Sequence, residues 1–182
     1  TIVSLFRRQA EATPDNVALI YKDKRFTYSQ IDEISDRIAA RIASMGLGAE
    51  DVVSILIPRC EWMGIIPMGV LKAGCAYQPL DPTYPKERLN FMMKDAGVSL
   101  LIADEGLRPL ADEFQGETLF TGELMDLPRA EVQPVAPSPS SLFILLYTSG
   151  STGIPKGCQL EHGNLVAFCH WYQSYYGLHA GD

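Results

Sequence analysis

The 182 residues hold little cysteine, little histidine, no excess of positive charge and no long apolar run. Each shortage removes a class of function. The four cysteines, Cys60, Cys75, Cys158 and Cys169, never fall in C-x-x-C spacing, and the three histidines have no partner at metal-ligand spacing. No protein metal site or disulfide framework is expected, and the four thiols read as buried, reduced side chains of a cytoplasmic protein. Fifteen Lys and Arg stand against 22 Asp and Glu, a net charge of −7. That argues against a nucleic-acid partner, which needs a basic face, but leaves room for a local basic pocket. No apolar run approaches the ~20 residues of a membrane helix, so no membrane partner is expected. Internal repeats and low-complexity segments are also absent.

What is present is a chain with 47% apolar and 20% charged residues, ordinary for one globular domain. Its most informative stretch is Leu145 to Gly157, which reads LLYTSGSTGIPKG. An apolar run from Leu142 to Tyr147 leads into ten residues with three glycines, four hydroxyl side chains and one lysine. Glycines let backbone N–H groups converge on an anion. Thr148, Ser149, Ser151 and Thr152 add hydroxyl donors, and Lys156 adds a mobile point charge. Composition alone leaves two readings open, a phosphate loop or a Ser/Gly-rich surface turn. The Walker pattern fails, because Pro155 precedes the lysine and Gly157 follows it. The dinucleotide pattern G-x-G-x-x-G and the nucleophile elbow G-x-S-x-G are both missing.

Periodicity predicts alternating helices and strands. Residues 1–12 read as a helix ended by Thr13 and Pro14, and Val17–Tyr21 and Arg25–Tyr28 as a hairpin turning at Asp23 and Lys24. Ser29 is expected to cap a long helix with Asp32 and Glu33 in its first turn. Val52–Ile57 is a buried strand, and Glu61–Ala73 a helix that Pro67 should kink. Ala76–Leu80, Val98–Ile102 and Thr118–Phe120 are further strands. Lys86–Ala96 and a short segment around Leu107–Phe114 are helices. Residues 121–140, with Pro128, Pro134, Pro137 and Pro139, are expected to be an exposed connection. Cys158–Glu161 should be a strand, and Asn164–Tyr176 a last helix packed through Tyr172, Tyr175 and Tyr176. His162 and Asn164 read as shaping the start of that helix, and Glu61 and Asp81 as helix-start and turn residues. The expected class is α/β, a doubly wound, largely parallel sheet flanked by helices. Such sheets bind ligands beyond the carboxyl ends of their strands, where the loop after Tyr147 lies.

Three segments, in order, resemble one family. Phe26–Ile31 (FTYSQI), Leu71–Pro85 (LKAGCAYQPLDPTYP) and Tyr147–Gly157 (YTSGSTGIPKG) resemble motifs of the adenylate-forming superfamily, and His162 to Leu165 also fits. The second segment is most similar to amino-acid adenylation domains of nonribosomal peptide synthetases. It departs at Cys75, where glycine is usual, and at Gln78, where valine is usual.

The resemblance implies a two-step ligase. ATP and an amino acid give an aminoacyl-adenylate and pyrophosphate, and the acyl group then passes to a phosphopantetheine thiol on a peptidyl carrier domain. It implies ATP and Mg²⁺ as cofactors. It assigns Thr148, Ser149, Gly150, Ser151, Thr152, Gly153 and Lys156 to the phosphates, with Lys156 and Thr152 as the catalytic pair. Residues 1–182 are then expected to be part of an adenylation domain, the N-terminal subdomain portion, ending before the substrate pocket and C-terminal subdomain. The rest of the synthetase would be its partner. Two alternatives stay open: a stand-alone acyl-CoA or D-alanine–carrier-protein ligase, and a non-catalytic nucleotide-binding or interaction remnant.

Overall fold

The computed structural model describes residues 1–129, 137–149 and 154–178. Helix α1 (Ile2–Ala12) starts at a Thr1 cap and is followed by an antiparallel pair, β1 (Val17–Tyr21) and β2 (Lys24–Thr27). The turn between them is Lys22 and Asp23, one residue earlier than expected, because Tyr21 pairs directly with Lys24.

Helix α2 (Tyr28–Ser44) is capped by Thr27 rather than Ser29. Gln30 N donates to Thr27 Oγ1 at 3.3 Å, and Thr27 N donates to Gln30 Oε1 at 2.9 Å. This is the reciprocal T-x-x-Q capping box, and it already places Ser29 inside the helix. Asp32 and Glu33 consequently fall past the first turn.

The main sheet has six strands in the order β6-β5-β3-β4-β7-β8. Strands β3 (Val52–Leu56), β4 (Ala76–Leu80), β5 (Leu100–Ala103) and β6 (Glu117–Phe120) are mutually parallel. Helix α3 (Trp62–Lys72) links β3 to β4, running unbroken through Pro67, and α4 (Lys86–Asp95) links β4 to β5. These two crossovers move in opposite directions along the sheet. Right-handed crossovers therefore place their helices on opposite faces. The side chains record this. Val53, Ile55, Leu100 and Ile102 pack with Ile34, Ile38 and Ile42 of α2 and Ile65, Ile66 and Val70 of α3. Leu56, Leu80, Leu101 and Ala103 face the other way, onto Leu89, Met92 and Met93 of α4. Strands buried on both faces explain their continuous apolar runs.

Between β5 and β6 lie a single 3-10 turn (Glu105–Leu107) and α5 (Arg108–Ala111). The expected exposed connection after β6 begins instead as a 3-10 helix, Thr121–Asp126, with Thr121 and Leu124 buried. Glu105 holds its start, accepting from Gly122 N at 2.5 Å and Thr121 Oγ1 at 2.9 Å. Arg37 holds its end, donating to the carbonyls of Met125 at 3.1 Å and Leu127 at 3.5 Å. Strand β7 (Leu142–Ser149) runs parallel beside β4, and β8 (Pro155–Glu161) returns antiparallel to it. The strand after the loop is thus three residues longer than its apolar content suggests. Helix α6 (His162–Tyr176) closes the described chain.

Two further expectations change. Only Cys75 is buried; Cys60 and Cys169 are half-buried and Cys158 is exposed. Tyr172, Tyr175 and Tyr176 do not pack into the core, and Tyr175 is 69% exposed. They pack against one another along the surface of α6 itself, Trp171 stacked on Tyr175 at 5.3 Å and Tyr172 tilted against Tyr176 at 4.5 Å between ring centroids. Residues four apart on a helix are neighbours whether or not that face meets the core.

Candidate phosphate-binding site

The residues expected to bind phosphate lie at the tip of the β7–β8 hairpin. Thr148 pairs in register with Lys156, and Ser149 with Pro155. Thr148, Ser149 and Lys156 are all exposed there. Gly150, Ser151, Thr152 and Gly153 lie outside the described residues. Because β7 is parallel to β4, the tip stands at the carboxyl edge of the sheet. The chain turns to opposite faces after β3 and after β4, so that edge is also where a doubly wound sheet opens a crevice. A ladder pair fixes the Lys156 backbone opposite Thr148 while its ammonium stays in solvent. Hydroxyl donors beside an ammonium suit an anion. Among the described residues no group of three His, Cys, Asp or Glu could hold a metal ion.

The hairpin is fastened below its tip. Tyr147, the last half-buried residue before the loop, donates its hydroxyl to Asp95 Oδ2 of α4 at 2.7 Å. Burial, reinforced by that carboxylate, pushes the phenol well above its usual range, so it remains a donor at all physiological pH. Gly157 lies opposite Tyr147 in the ladder. A Cβ there would stand 3.1 Å from Leu145 Cδ1 and 3.4 Å from Tyr147 Cζ, so glycine lets the tyrosine ring lie across the strand.

At the base, His162 N donates to Ser141 O at 3.0 Å, and Asn164 Oδ1 accepts from Glu161 N at 2.9 Å. Both residues therefore shape the helix start as expected. The His162 ring is 1% exposed and packs 5.7 Å from the Phe143 ring centroid. Its Nδ1 meets no acceptor among the described residues. Burial lowers its pKa against the opposing pull of Glu50. His162 is a neutral packing residue at pH 7.

The two positions that depart from the resembled motif have structural explanations. Gln78 is buried on β4 directly opposite Ser54 of β3. Its Oε1 accepts from Ser54 Oγ at 2.5 Å and its Nε2 donates to Met92 O at 3.2 Å. The buried amide is satisfied and ties two strands to α4. Cys75 is fully buried, and burial pushes its thiol up to about 12, which makes it inert. Asp81 accepts from both N and Oγ1 of Thr83, the turn role expected of it. Glu61 stands at the start of α3 but offers no cap, forming instead an ion pair with Lys24 of β2.

Sequence reasoning missed Lys72, the lysine of the second motif. Its side chain is completely buried and its ammonium has three acceptors: Asp32 O at 2.9 Å, Asp32 Oδ1 at 2.6 Å and Asp36 Oδ1 at 2.8 Å. Asp36 also accepts from Arg7 of α1 at 3.1 Å. One ammonium thus joins α2 to α3, and through Asp36 to α1. The available signal was its position after Val70 and Leu71 in a helix whose only other charged neighbour, Glu61, precedes it.

A largely parallel sheet wound on both faces, with a hydroxyl- and lysine-bearing hairpin at its carboxyl edge, defines a doubly wound α/β domain. The profile of the AMP-binding enzyme family matches residues 6–182, and the chain belongs to that family. It is 36% identical over 186 residues to bacitracin synthase 1 of Bacillus licheniformis, covering 100% of this chain and 4% of that protein. It is 38% identical over 167 residues to gramicidin S synthase 2 of Brevibacillus brevis, covering 91% of this chain and 4% of that one. The structure of VinN in complex with 3-methylaspartate superposes with a TM-score of 0.89 at 25% identity, covering 98% of this chain and 52% of that chain. The chain therefore spans a small fraction of the synthases it matches and about half of VinN.

Proposed function

We propose that this chain supplies the phosphate-binding part of an adenylation domain that activates an amino acid for nonribosomal peptide synthesis. The carboxylate oxygen of the amino acid attacks the α-phosphorus of ATP. The bond from that phosphorus to the bridging oxygen of the β-phosphate breaks, and pyrophosphate leaves. The aminoacyl group then moves to a phosphopantetheine thiol on a carrier domain, releasing AMP. The carboxylate is already ionised at pH 7, so little acid–base help is needed. What must be supplied is a preorganised positive surface for the departing pyrophosphate. Thr148, Ser149, Gly150, Ser151, Thr152, Gly153 and Lys156 form that surface in this reading, with Lys156 and Thr152 as the catalytic residues. Mg²⁺ accompanying ATP would neutralise phosphate charge. A need for ATP and carrier-bound thiols favours the cytoplasm as the site of the reaction.

The observation that carries this reading is the Thr148–Lys156 ladder pair at the carboxyl edge of the sheet, in a chain matched by the family profile over residues 6–182. Pyrophosphate exchange on the full-length protein, run with a panel of amino acids, tests it and names the substrate. Lys156→Ala should slow exchange about a hundredfold, the effect of losing one such donor, on the order of 3 kcal/mol. An unchanged exchange rate would remove Lys156 from the site.

A further inference from the structure

The turn that opens β3 holds a residue in an unfavourable conformation. Gly48, Ala49, Glu50 and Asp51 close a turn in which Asp51 N donates to Gly48 O at 3.1 Å. Gly48 N donates in return to Asp51 Oδ2 at 2.8 Å. Glu50, the third residue, has φ +68°, and Ala49 before it stays out of positive φ. That is a type II turn, whose third position suits glycine. A glutamate there strains the backbone, and such strain persists only where the surrounding structure over-determines it.

The contact that holds Glu50 is distant in sequence. Its Oε1 accepts from the backbone N of Leu142, the first residue of β7, at 3.2 Å and across 92 residues. The carbonyl of Asp51 accepts from Ala76 N, at the start of β4, at 2.9 Å. One turn thus ties together the starts of β3, β4 and β7. Of the three, β7 depends most on the tie. Strand β3 pairs with β4 along its whole length, Val52 to Leu56, whereas β7 is registered to β4 through the pair Tyr77 and Ile144 alone. Backbone pairing therefore fixes β7 on the sheet less firmly than it fixes β3 or β4. Two side-chain bonds add to it: Tyr147 to Asp95 at 2.7 Å towards the tip, and Glu50 to Leu142 at the base.

Building on the adenylation reading, we propose that Glu50 is a positioning residue for the hairpin that carries Thr148 and Lys156. It touches no reacting atom. Its carboxylate sets where β7 begins on the sheet, and the β7–β8 ladder carries that setting from Leu142 to the Thr148–Lys156 pair. A misplacement of about 1 Å at a reacting site can cost on the order of a hundredfold in rate. A strained glutamate in place of an unstrained glycine is the arrangement that such a constraint would retain.

The test compares the full-length protein with its Glu50→Gly and Glu50→Gln variants. Glycine removes the carboxylate but also relieves the turn, so its two effects on stability oppose one another. Glu50→Gly should therefore melt close to wild type. In pyrophosphate exchange it should nevertheless raise the KM for ATP about three- to tenfold, the usual effect of one lost hydrogen bond, with the KM for the amino acid unchanged. Glu50→Gln keeps an acceptor and should fall between the two. Hydrogen exchange read by mass spectrometry should be faster in Glu50→Gly across Leu142–Ser149 and Pro155–Glu161, and unchanged in α4. An ATP KM equal to wild type in Glu50→Gly would overturn the proposal. So would parallel rises in both KM values that follow a lowered melting temperature, the mark of a structural brace. Wild-type protein that exchanges pyrophosphate with no amino acid would instead refute the adenylation reading. The hydrogen-exchange comparison would then decide alone, and equal protection of the hairpin in Glu50→Gly and wild type would overturn the role of Glu50 as well.

Discussion

Replacing Lys72 with methionine should be among the most damaging single changes outside the phosphate loop. Methionine fills most of the lysine stem, so the substitution removes chiefly the ammonium. Three hydrogen bonds go at once: two to Asp32 and one to Asp36, at 2.6 to 2.9 Å. Breaking a fully buried ion pair typically costs about 3–5 kcal/mol. Two features reduce the figure here. Each aspartate side chain keeps 32% exposure and can be resolvated, and Asp36 retains Arg7 at 3.1 Å. About 3 kcal/mol is the resulting expectation, at the low end of that range. For a chain of this size that corresponds to a melting temperature lower by about 6–12 °C.

Urea denaturation of the chain and of its Lys72→Met, Asp32→Asn and double variants measures both the loss and the coupling. The double variant should be less destabilised than the sum of the singles, by more than about 1 kcal/mol, because each single leaves the other charge without its main partner. A loss for Lys72→Met below about 1 kcal/mol would refute the reasoning, since an exposed surface pair contributes that much.

The buried His162 makes stability depend on pH. Its folded pKa lies below the ordinary 6.5, so the unfolded chain binds more protons between the two values and stability rises with pH there. Its contribution is complete above about pH 6.5 and is lost as pH falls toward the depressed value, by at most about 1.4 kcal/mol per pH unit. Denaturation between pH 5 and 7 should show that slope, and His162→Phe should flatten it; an identical slope in the variant would disprove the assignment. Native-state alkylation should modify exposed Cys158 quickly and spare buried Cys75, whose thiol is pushed up to about 12. Peptide mass spectrometry reads the order, and early modification of Cys75 would contradict its burial. Tyr147→Phe should cost about 1 kcal/mol of stability and raise the KM for ATP severalfold, through the lost bond to Asp95. Unchanged kinetics in that variant would show that the bond does not position the loop.

The sheet and its helices were legible because their apolar periods are strong. Val52–Ile57 and Val98–Ile102 read as buried strands, and the observed strands Val52–Leu56 and Leu100–Ala103 have helices on both sides. The errors come from interactions that periodicity does not encode. Ser29 and Thr27 are both acceptable caps by composition, and only the Gln30 side chain decides between them. Gln78 looked like a departure from a motif, yet it is the partner of Ser54 on a strand 24 residues away in sequence. Lys72 drew no structural reading from the sequence because its acceptors lie 36 and 40 residues earlier. The length of β8 was hidden because its side chains are mostly exposed. Its pairing comes from the β7 backbone rather than from an apolar pattern.

The candidate phosphate loop was legible as chemistry and partly as geometry, since Cys158–Glu161 was expected as a strand leaving it and Asn164–Tyr176 as the helix after that. A phosphate loop that opens a helix has the helix dipole to assist its anion. Here the loop turns back into β8, and α6 begins only after Glu161, at the opposite end of the hairpin. No helix amino terminus follows the loop directly. An anion held at this tip would rely on Lys156 and the hydroxyls of Thr148 and Ser149 rather than on a helix dipole. Helix α4 is the element fastened to this hairpin, through Tyr147 and Asp95, and its amino-terminal end rises to the same edge.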